Sequence, residues 1–215
     1  MRFSDRVDAG RQLVAKLVDL RGTPDLVVLG IPRGGVVVGY EIALALNAPF
    51  DVALSHKLGA PDNDELAIGA LAENGSTILD ESIISQLRVT QEYIDQVTEQ
   101  QRREIARRGP LYRGARKAIE TRDRPVVVVD DGVATGATMI VTLQALRKHG
   151  ARTLIAAAPI IAAESLDRLL AIANRVAYVY APHFFASVGG FYDRFNQVSD
   201  GEVRELLADL AETRP

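Results

Sequence analysis

The sequence predicts an α/β fold with three layers, in which helices cover both faces of a mostly parallel sheet. Short apolar runs, such as the four valines at 126–129, have the length and β-branched composition of strands buried on both faces. Helical patterns separate these runs, and such alternation implies right-handed crossovers between parallel strands. We therefore expect a ligand at the edge where the strands reach their carboxyl ends.

The predicted elements follow one another in a regular order along most of the chain. Apolar residues at helical spacing predict a first helix over 8–20. Asn74-Gly75, between the strand-like segments 67–73 and 76–79, predicts a hairpin. The other strands are predicted at 26–30, 51–54, 126–129, 153–160 and 176–180, and the other helices at 36–46, 138–149, 162–173 and 202–211.

Residues 81–120 interrupt this order, because they are polar and helical in pattern and contain no strand. We interpret them as a helical insertion, either a flap or a dimer arm. Glu99 and Glu104 stand four residues before Arg103 and Arg108, the spacing that favours ion pairs along a helix. This favours a solvated, salt-bridged face over an RNA or acidic-ligand patch for the arginines of the segment, Arg102, Arg103, Arg107, Arg108, Arg113 and Arg116.

Composition restricts the classes of function. The chain has 215 residues, enough for one domain with an appendage, and its net charge of −3 argues against a generic nucleic-acid binder. The absence of cysteine excludes disulfides, thiolate catalysis and cysteine-ligated zinc. No apolar stretch reaches the roughly 18 residues of a membrane span, and the polar start does not resemble a signal peptide. We expect a cytoplasmic protein that does not bind membranes.

The most specific motif is VVVVDDGVATGATM at 126–139. Its loop begins where a buried strand ends and finishes where a helix starts, so free backbone N–H groups and the helix dipole can bind an anion there. Thr135 and Thr138 add hydroxyl donors, and Gly136 allows the backbone to approach a bulky oxyanion. Neither G-x-x-x-x-G-K-[ST] nor a G-x-G-x-x-G that opens a βαβ unit occurs in the chain.

Asp130 and Asp131 identify the rest of the ligand. Carboxylates would repel a bare phosphate, but they suit vicinal hydroxyls or a divalent cation, so the pattern indicates a ribose 5-phosphate. The segment resembles the 5-phosphoribosyl-1-diphosphate (PRPP) loop of the type I phosphoribosyltransferases. That resemblance implies that Asp130 and Asp131 contact the ribose hydroxyls and that the turn at residues 134–138 holds the 5-phosphate, through Ala134, Thr135, Gly136, Ala137 and Thr138.

A second loop, Gly30-Ile-Pro-Arg-Gly-Gly, also lies between a predicted strand and a helix. In isolation a tight turn needs no ligand, but paired glycines expose backbone amides and Arg33 is a forked, permanently charged donor. The resemblance implies that Arg33, Gly34 and Gly35 bind the diphosphate of PRPP. Gly, Pro, Asn and Asp cluster at the start of 55–69 and predict a mobile loop. The resemblance implies that this loop closes over PRPP and brings Lys57 near the diphosphate.

Two further segments have weaker signals. Glu65, in the predicted mobile loop, is a candidate for proton handling, whereas His56 is expected to pack or to line the pocket rim. The aromatic-rich segment 182–195 has two interpretations, a surface that stacks on a base or an apolar plug under the last helix. We assign 181–215 to a small hood and the C-terminal helix, within a single phosphoribosyltransferase-like domain spanning 1–215.

The resemblance implies transfer of phosphoribosyl from PRPP to a nitrogenous base with release of diphosphate. Asp130, Asp131, Arg33 and Lys57 would carry the catalysis, with Mg²⁺ arriving on PRPP and held only indirectly by the two aspartates. The 6-oxopurine enzymes carry an acid where this chain has Ala134, so the acceptor stays open. With HKLGAP and ELAIGA, the pattern looks most like bacterial predicted phosphoribosyltransferases that have no assigned acceptor, and the resemblance favours a homodimer.

Other classes of function would use the same two loops. A non-catalytic PRPP-binding regulator, with RNA bound through the arginines of 102–116, is the main alternative. A sugar-phosphate hydrolase or isomerase is less favoured, because no nucleophile–base pair is evident in the sequence.

Overall fold

The computed structural model describes residues 1–61, 63–73, 75 and 77–212, without the side chains of residues 64, 65 and 212. The strands are β1 (Val27–Gly30), β2 (Phe50–Val52), β3 (Ser55–Ala60), β4 (Asn63–Ala72), β5 (Thr77–Leu79), β6 (Pro125–Val129), β7 (Thr153–Ile160) and β8 (Arg175–Tyr180). The helices are α1 (Arg6–Val14), α2 (Gly34–Leu46), α3 (Glu81–Leu87), α4 (Gln91–Arg113), α5 (Ala137–His149), α6 (Leu166–Leu170) and α7 (Asp200–Glu212). Short 3-10 turns lie at Val18–Leu20, Ala163–Ser165 and Val188–Phe191.

A five-stranded sheet in the order β2-β1-β6-β7-β8 forms the centre of the molecule, and all of its neighbouring strands are parallel. Successive residues of one strand point to opposite faces. Val28, Val127 and Val129 therefore belong to one apolar core with α2, whereas Val126 and Val128 belong to a second core with α5. Both faces are buried, which explains the unbroken valine runs. The predicted three-layer α/β fold is confirmed.

A second, antiparallel sheet of three strands in the order β3-β4-β5 lies beside α4 and α5. The mobile loop predicted over 55–69 is wrong in this respect, because most of the segment is the β3–β4 strand pair. Leu58 and Ile68 are fully buried, and Pro61 follows the end of β3. The predicted hairpin is confirmed, with β4 and β5 on either side of Gly75, whose φ is +79°.

The helical pattern predicted for 81–120 is confirmed as α3 and α4, which are followed by irregular chain. Its role as a flap or dimer arm stays a prediction. Asp80 and Thr90 cap the two helices by accepting from the amides of Ile83 and Tyr93. Helix α4 packs against α7 and β3. On its outer surface Glu99 bonds Arg102 and Arg103, and Glu104 bonds Arg107 and Arg108. The expected salt-bridged face is present.

Arg113 departs from that expectation, because its side chain is only 5% exposed and reaches into the protein. It donates to Asp51 Oδ1 at 2.6 Å, to the Val52 carbonyl at 3.0 Å and to both carboxylate oxygens of Glu73. It thus links the last residue of α4 to β2 and to the end of β4. Periodicity along α4 does not reveal which arginine turns inward.

Several predicted boundaries change. Helix α1 ends at Val14 rather than at residue 20, and the helix predicted at 162–173 contains only α6 and a 3-10 turn. Helix α7 confirms the C-terminal helix, whereas 181–199 is largely irregular. Among the described residues, the structure outside the main sheet comes mainly from 55–113. The hood assigned to 181–215 stays a prediction. Within the described ranges, no helix is long and apolar enough to cross a membrane.

We expect Arg113→Met to destabilise the fold by about 3–5 kcal/mol, because Asp51 and Glu73 would lose the cation that neutralises them. Arg103→Met is the matched control on the same helix, since Arg103 also bonds a glutamate but is 79% exposed. Urea unfolding of both variants gives the comparison. Equal, small losses of unfolding free energy would contradict the structural role of Arg113.

Candidate active site

The candidate site lies where β1 and β6 end side by side. Gly30 pairs with Val129 in register, so the loops that follow the two strands start at the same edge of the sheet. A Cβ added to Gly35 would lie 2.8 Å from the Asp130 Cα, and one added to Gly34 would overlap the Asp131 carboxylate. The glycines thus allow the first loop to pack directly on the acid pair.

Asp130 and Asp131 place two adjacent carboxyl groups at the start of the second loop. Oδ1 of Asp130 accepts the Asp131 amide at 2.8 Å, and the Asp130 amide donates to the Ala157 carbonyl at 3.1 Å. Burial raises the pKa of Asp130 well above its usual value, and the neighbouring charge of Asp131 raises it further. The pair therefore favours a ligand that supplies hydroxyl donors or positive charge.

Arg6, at the start of α1, is the cation at this pair, and sequence reasoning missed it. Its Nε donates to Asp131 Oδ2 at 2.7 Å, and its Nη1 donates to the Asn196 carbonyl at 2.7 Å. The guanidinium carbon lies 3.8 Å from the centre of the Phe195 ring. Because 125 residues separate Arg6 from Asp131, no local spacing in the sequence indicates this contact.

In the second loop, several amides donate to no described acceptor, whereas the carbonyls accept from other groups. Among the described hydrogen bonds, none uses the amides of Thr135, Gly136, Thr138 or Met139 as donors. The carbonyl oxygens accept from other groups: Ala134 from the Ser165 hydroxyl at 2.6 Å, Thr135 from Arg168, and Gly136 from the Ile140 amide. The loop is thus arranged as an anion site at the N-terminus of α5.

Ser165 and Arg168 were also missed by sequence reasoning. Ser165 is fully buried in the 3-10 turn after β7, and Arg168 lies on α6. Both hold main-chain carbonyls of a loop more than 30 residues away, a role that any polar residue could fill. No signal in the sequence distinguishes them.

The loop requires glycine at position 136, because the backbone there has a φ of +76°, in the left-handed region. A Cβ at this position would lie 3.5 Å from Ile140 and Val133, in ordinary contact with the core side of the loop. The structure shows that this residue forms the left-handed turn that precedes α5. Its close approach to an oxyanion stays a prediction.

The first loop brings Gly34 and Gly35 to the N-terminus of α2, and the Pro32–Arg33 peptide is cis. Among the described hydrogen bonds, none uses the amides of Arg33, Gly34 or Gly35 as donors. The Arg33 guanidinium, 38% exposed, lies 3.9 Å from Asp200 at the start of α7. Asp200 also accepts from the Tyr112 hydroxyl at 2.9 Å. The Arg33 side chain is thus directed toward α7, while the glycines contact the acid pair.

Lys57 lies on β3 rather than in a loop. Burial and the nearby charge of Arg108 lower the pKa of His56. Because Arg108 belongs to α4, His56 lies on the α4 side of the strand. Lys57 alternates with it and shares a face with Ser55, whose hydroxyl lies 2.6 Å from that of Thr142 on α5. Its approach to a diphosphate stays a prediction. The side chain of Glu65 lies outside the described part of the chain.

The aromatic segment packs on the acid loop and on the N-terminus. Phe3 and Tyr192 are buried with ring centres 5.6 Å apart, and the Tyr192 hydroxyl donates to the Asp131 carbonyl at 2.5 Å. A Cβ at Gly132 would overlap Val188. The buried part of the segment is therefore an apolar plug beside the acid loop and not under α7. Phe184 and Phe195 are exposed, at 85% and 37%.

A family model described as the phosphoribosyl transferase domain matches residues 4–189, which contain both loops and the acid pair. The chain belongs to the phosphoribosyl transferase family. It is 41% identical over 205 residues to the provisionally named phosphoribosyl transferases MT0597 and Rv0571c of two Mycobacterium tuberculosis strains. These matches cover 95% of this chain but 46% of each relative, so the chain spans about half the length of the curated relatives it matches.

Solved structures of two other chains are similar to this fold. TT1426 from Thermus thermophilus is 40% identical, with a TM-score of 0.89 over 98% of this chain and 99% of that one. AQ2163 from Aquifex aeolicus is 12% identical, with a TM-score of 0.51 over 94% of this chain and 84% of its own, and shows the shared fold alone. The fold described above is therefore shared with both of these chains.

We expect Gly34→Ala to disrupt the site, because the added methyl group would displace the Asp131 carboxylate. Gly201→Ala is the matched control in the first turn of α7, where the nearest atom to an added Cβ is 3.6 Å away. Calorimetric titration with ribose 5-phosphate should show binding lost only in Gly34→Ala. Unchanged affinity would contradict the close packing of the first loop on Asp131.

Proposed function

We propose that this phosphoribosyl transferase uses PRPP and transfers its 5-phosphoribosyl group to a nitrogenous base with release of diphosphate. The observation that carries the proposal is the direct contact between the two loops, Gly34–Gly35 on one and Asp130–Asp131 on the other. One loop offers helix-start amides for a phosphate next to two carboxylates for sugar hydroxyls. The other offers amides next to a guanidinium for a second anionic group.

In this proposal the chain acts by positioning and charge compensation. The amides of Thr135, Gly136, Thr138 and Met139 bind the 5-phosphate, and Asp130 and Asp131 accept from the ribose hydroxyls. The amides of Gly34 and Gly35 bind the leaving diphosphate, with Arg33 and Lys57 as its cations. These contacts hold the ribose between its two anionic ends while the bond at the anomeric carbon breaks.

Magnesium fits the donor set only as an ion shared with the ligand. Among the described residues, no group of three or more His, Cys, Asp or Glu side chains is arranged to hold a metal. Asp130 and Asp131 are hard oxygen donors, and Arg6 already engages one oxygen of Asp131. We propose that Mg²⁺ binds with PRPP and is held indirectly by the two aspartates, where it would neutralise diphosphate charge.

The acceptor base is left open by the residues at the site. Ala134 stands where an acid would serve an oxopurine, and its carbonyl is engaged by Ser165. Glu65 stays a candidate for proton handling. A cytoplasmic location and a homodimer remain predictions.

No observation favours the RNA-binding regulator over the enzyme. Four arginines proposed for RNA contact, Arg102, Arg103, Arg107 and Arg108, bond glutamates of α4, and Arg113 is buried. The enzyme proposal is tested by incubating the protein with PRPP, Mg²⁺ and a panel of nucleobases and measuring diphosphate. Base-dependent release supports it. PRPP binding without diphosphate release for any base would favour the non-catalytic PRPP-binding regulator.

We expect the double substitution Asp130→Asn with Asp131→Asn to reduce PRPP affinity at least tenfold, a loss on the order of that for charge-assisted hydrogen bonds. In the control, Asp95→Asn with Asp193→Asn, the same type of substitution is made at two exposed aspartates. Titration of PRPP with Mg²⁺ into both proteins measures the difference. Unchanged affinity in the Asp130/Asp131 variant would remove the basis of the proposed ribose site.

A further inference from the structure

Arg6 is the common contact of four segments that meet at the acid pair. It belongs to α1, bonds Asp131 on the second loop, and bonds the Asn196 carbonyl on the C-terminal segment. Its Nε is also 2.9 Å from the place where a Cβ on Gly34 of the first loop would stand. The Arg6 and Asp131 side chains are only 11% and 14% exposed, so this is not a freely solvated surface pair.

The Arg6 contact uses only one of the two oxygens of the Asp131 carboxylate. Arg6 engages Oδ2, on the side that Gly34 covers, and the Phe195 ring and the Asn196 carbonyl fix the guanidinium in turn. Asp131 Oδ1 takes no part in that ion pair. A carboxylate held through one oxygen by a packed arginine has little rotational freedom, which is the condition for a directional hydrogen bond from a ligand.

We propose that Arg6 is a positioning residue for ribose recognition, which orients the Asp131 carboxylate so that Oδ1 accepts from a sugar hydroxyl. This inference rests on the proposed function, because it assumes that the acid pair binds a ribose. It differs from the alternative in which Arg6 blocks the carboxylate and must leave before a sugar binds. It also differs from a role in which Arg6 only attracts anions.

The test compares two ligands of equal charge that differ in one hydroxyl, ribose 5-phosphate and 2-deoxyribose 5-phosphate. Calorimetric titration gives the ratio of their dissociation constants for the wild-type protein and for Arg6→Gln. We expect the wild type to prefer ribose 5-phosphate by roughly tenfold or more, and Arg6→Gln to reduce that preference to about twofold or less. Loss of stability or of bulk charge would weaken both ligands equally and leave the ratio unchanged.

Arg194→Gln is the matched control. Arg194 also joins the C-terminal segment to the N-terminus, through a 2.6 Å contact with Asp5, but its side chain is 70% exposed and does not bond the acid pair. We expect this variant to keep the wild-type ratio. If Arg6→Gln does not fold, Arg6→Lys replaces it, since lysine keeps the charge without the forked geometry and should lower the ratio.

The outcomes separate this inference from the proposed function. A wild-type preference that persists in the Arg6 variant, or tighter binding of ribose 5-phosphate by that variant, overturns the role of Arg6 alone. A wild type that binds neither sugar phosphate nor PRPP overturns the proposed function itself. A reduced ratio in the Arg6 variant with an unchanged ratio in Arg194→Gln supports the inference.

Discussion

The parallel pairing of β1 with β6 brings together the two loops of the candidate site. Gly30 lies opposite Val129, so both strands end together and their loops must share the same space. Only residues without a side chain can fill that space on the β1 loop, because any Cβ at Gly34 or Gly35 would meet the acid pair or its backbone. The strand register therefore determines where glycines are required and how the two loops can surround a ligand.

Charge balance is the second requirement at this edge. Two adjacent carboxylates in a partly buried position repel each other, and burial alone already raises the pKa of Asp130. Arg6 offsets part of that cost from within the protein, which ties α1 to the acid loop. A similar arrangement lies in the protein interior, where Arg113 neutralises Asp51 and Glu73 between α4 and the two sheets. In both places an arginine joins segments that are distant in sequence.

The central sheet and the two loops could be predicted because their signals are local. The valine run, the paired acids and the glycine before α5 lie within 14 residues, and each part has a direct physical reason. Strand β3 and the first residues of β4 were missed because register shifts at Leu58–Gly59 and Gly59–Ala60 break the alternation that identifies strands. Arg6, Ser165 and Arg168 were missed because their roles arise only when distant segments meet.

The inward-facing carbonyls of residues 134–136 have a consequence for how this site can change over time. Every residue except proline carries a main-chain amide, so most single substitutions leave the donors of this loop in place. The second anion subsite of the proposed function also uses main-chain amides, those of Gly34 and Gly35, whereas Arg33 and Lys57 can be replaced directly. Under the proposed function, a lineage that inherits these two loops keeps its hold on the anionic groups while the surrounding side chains diversify.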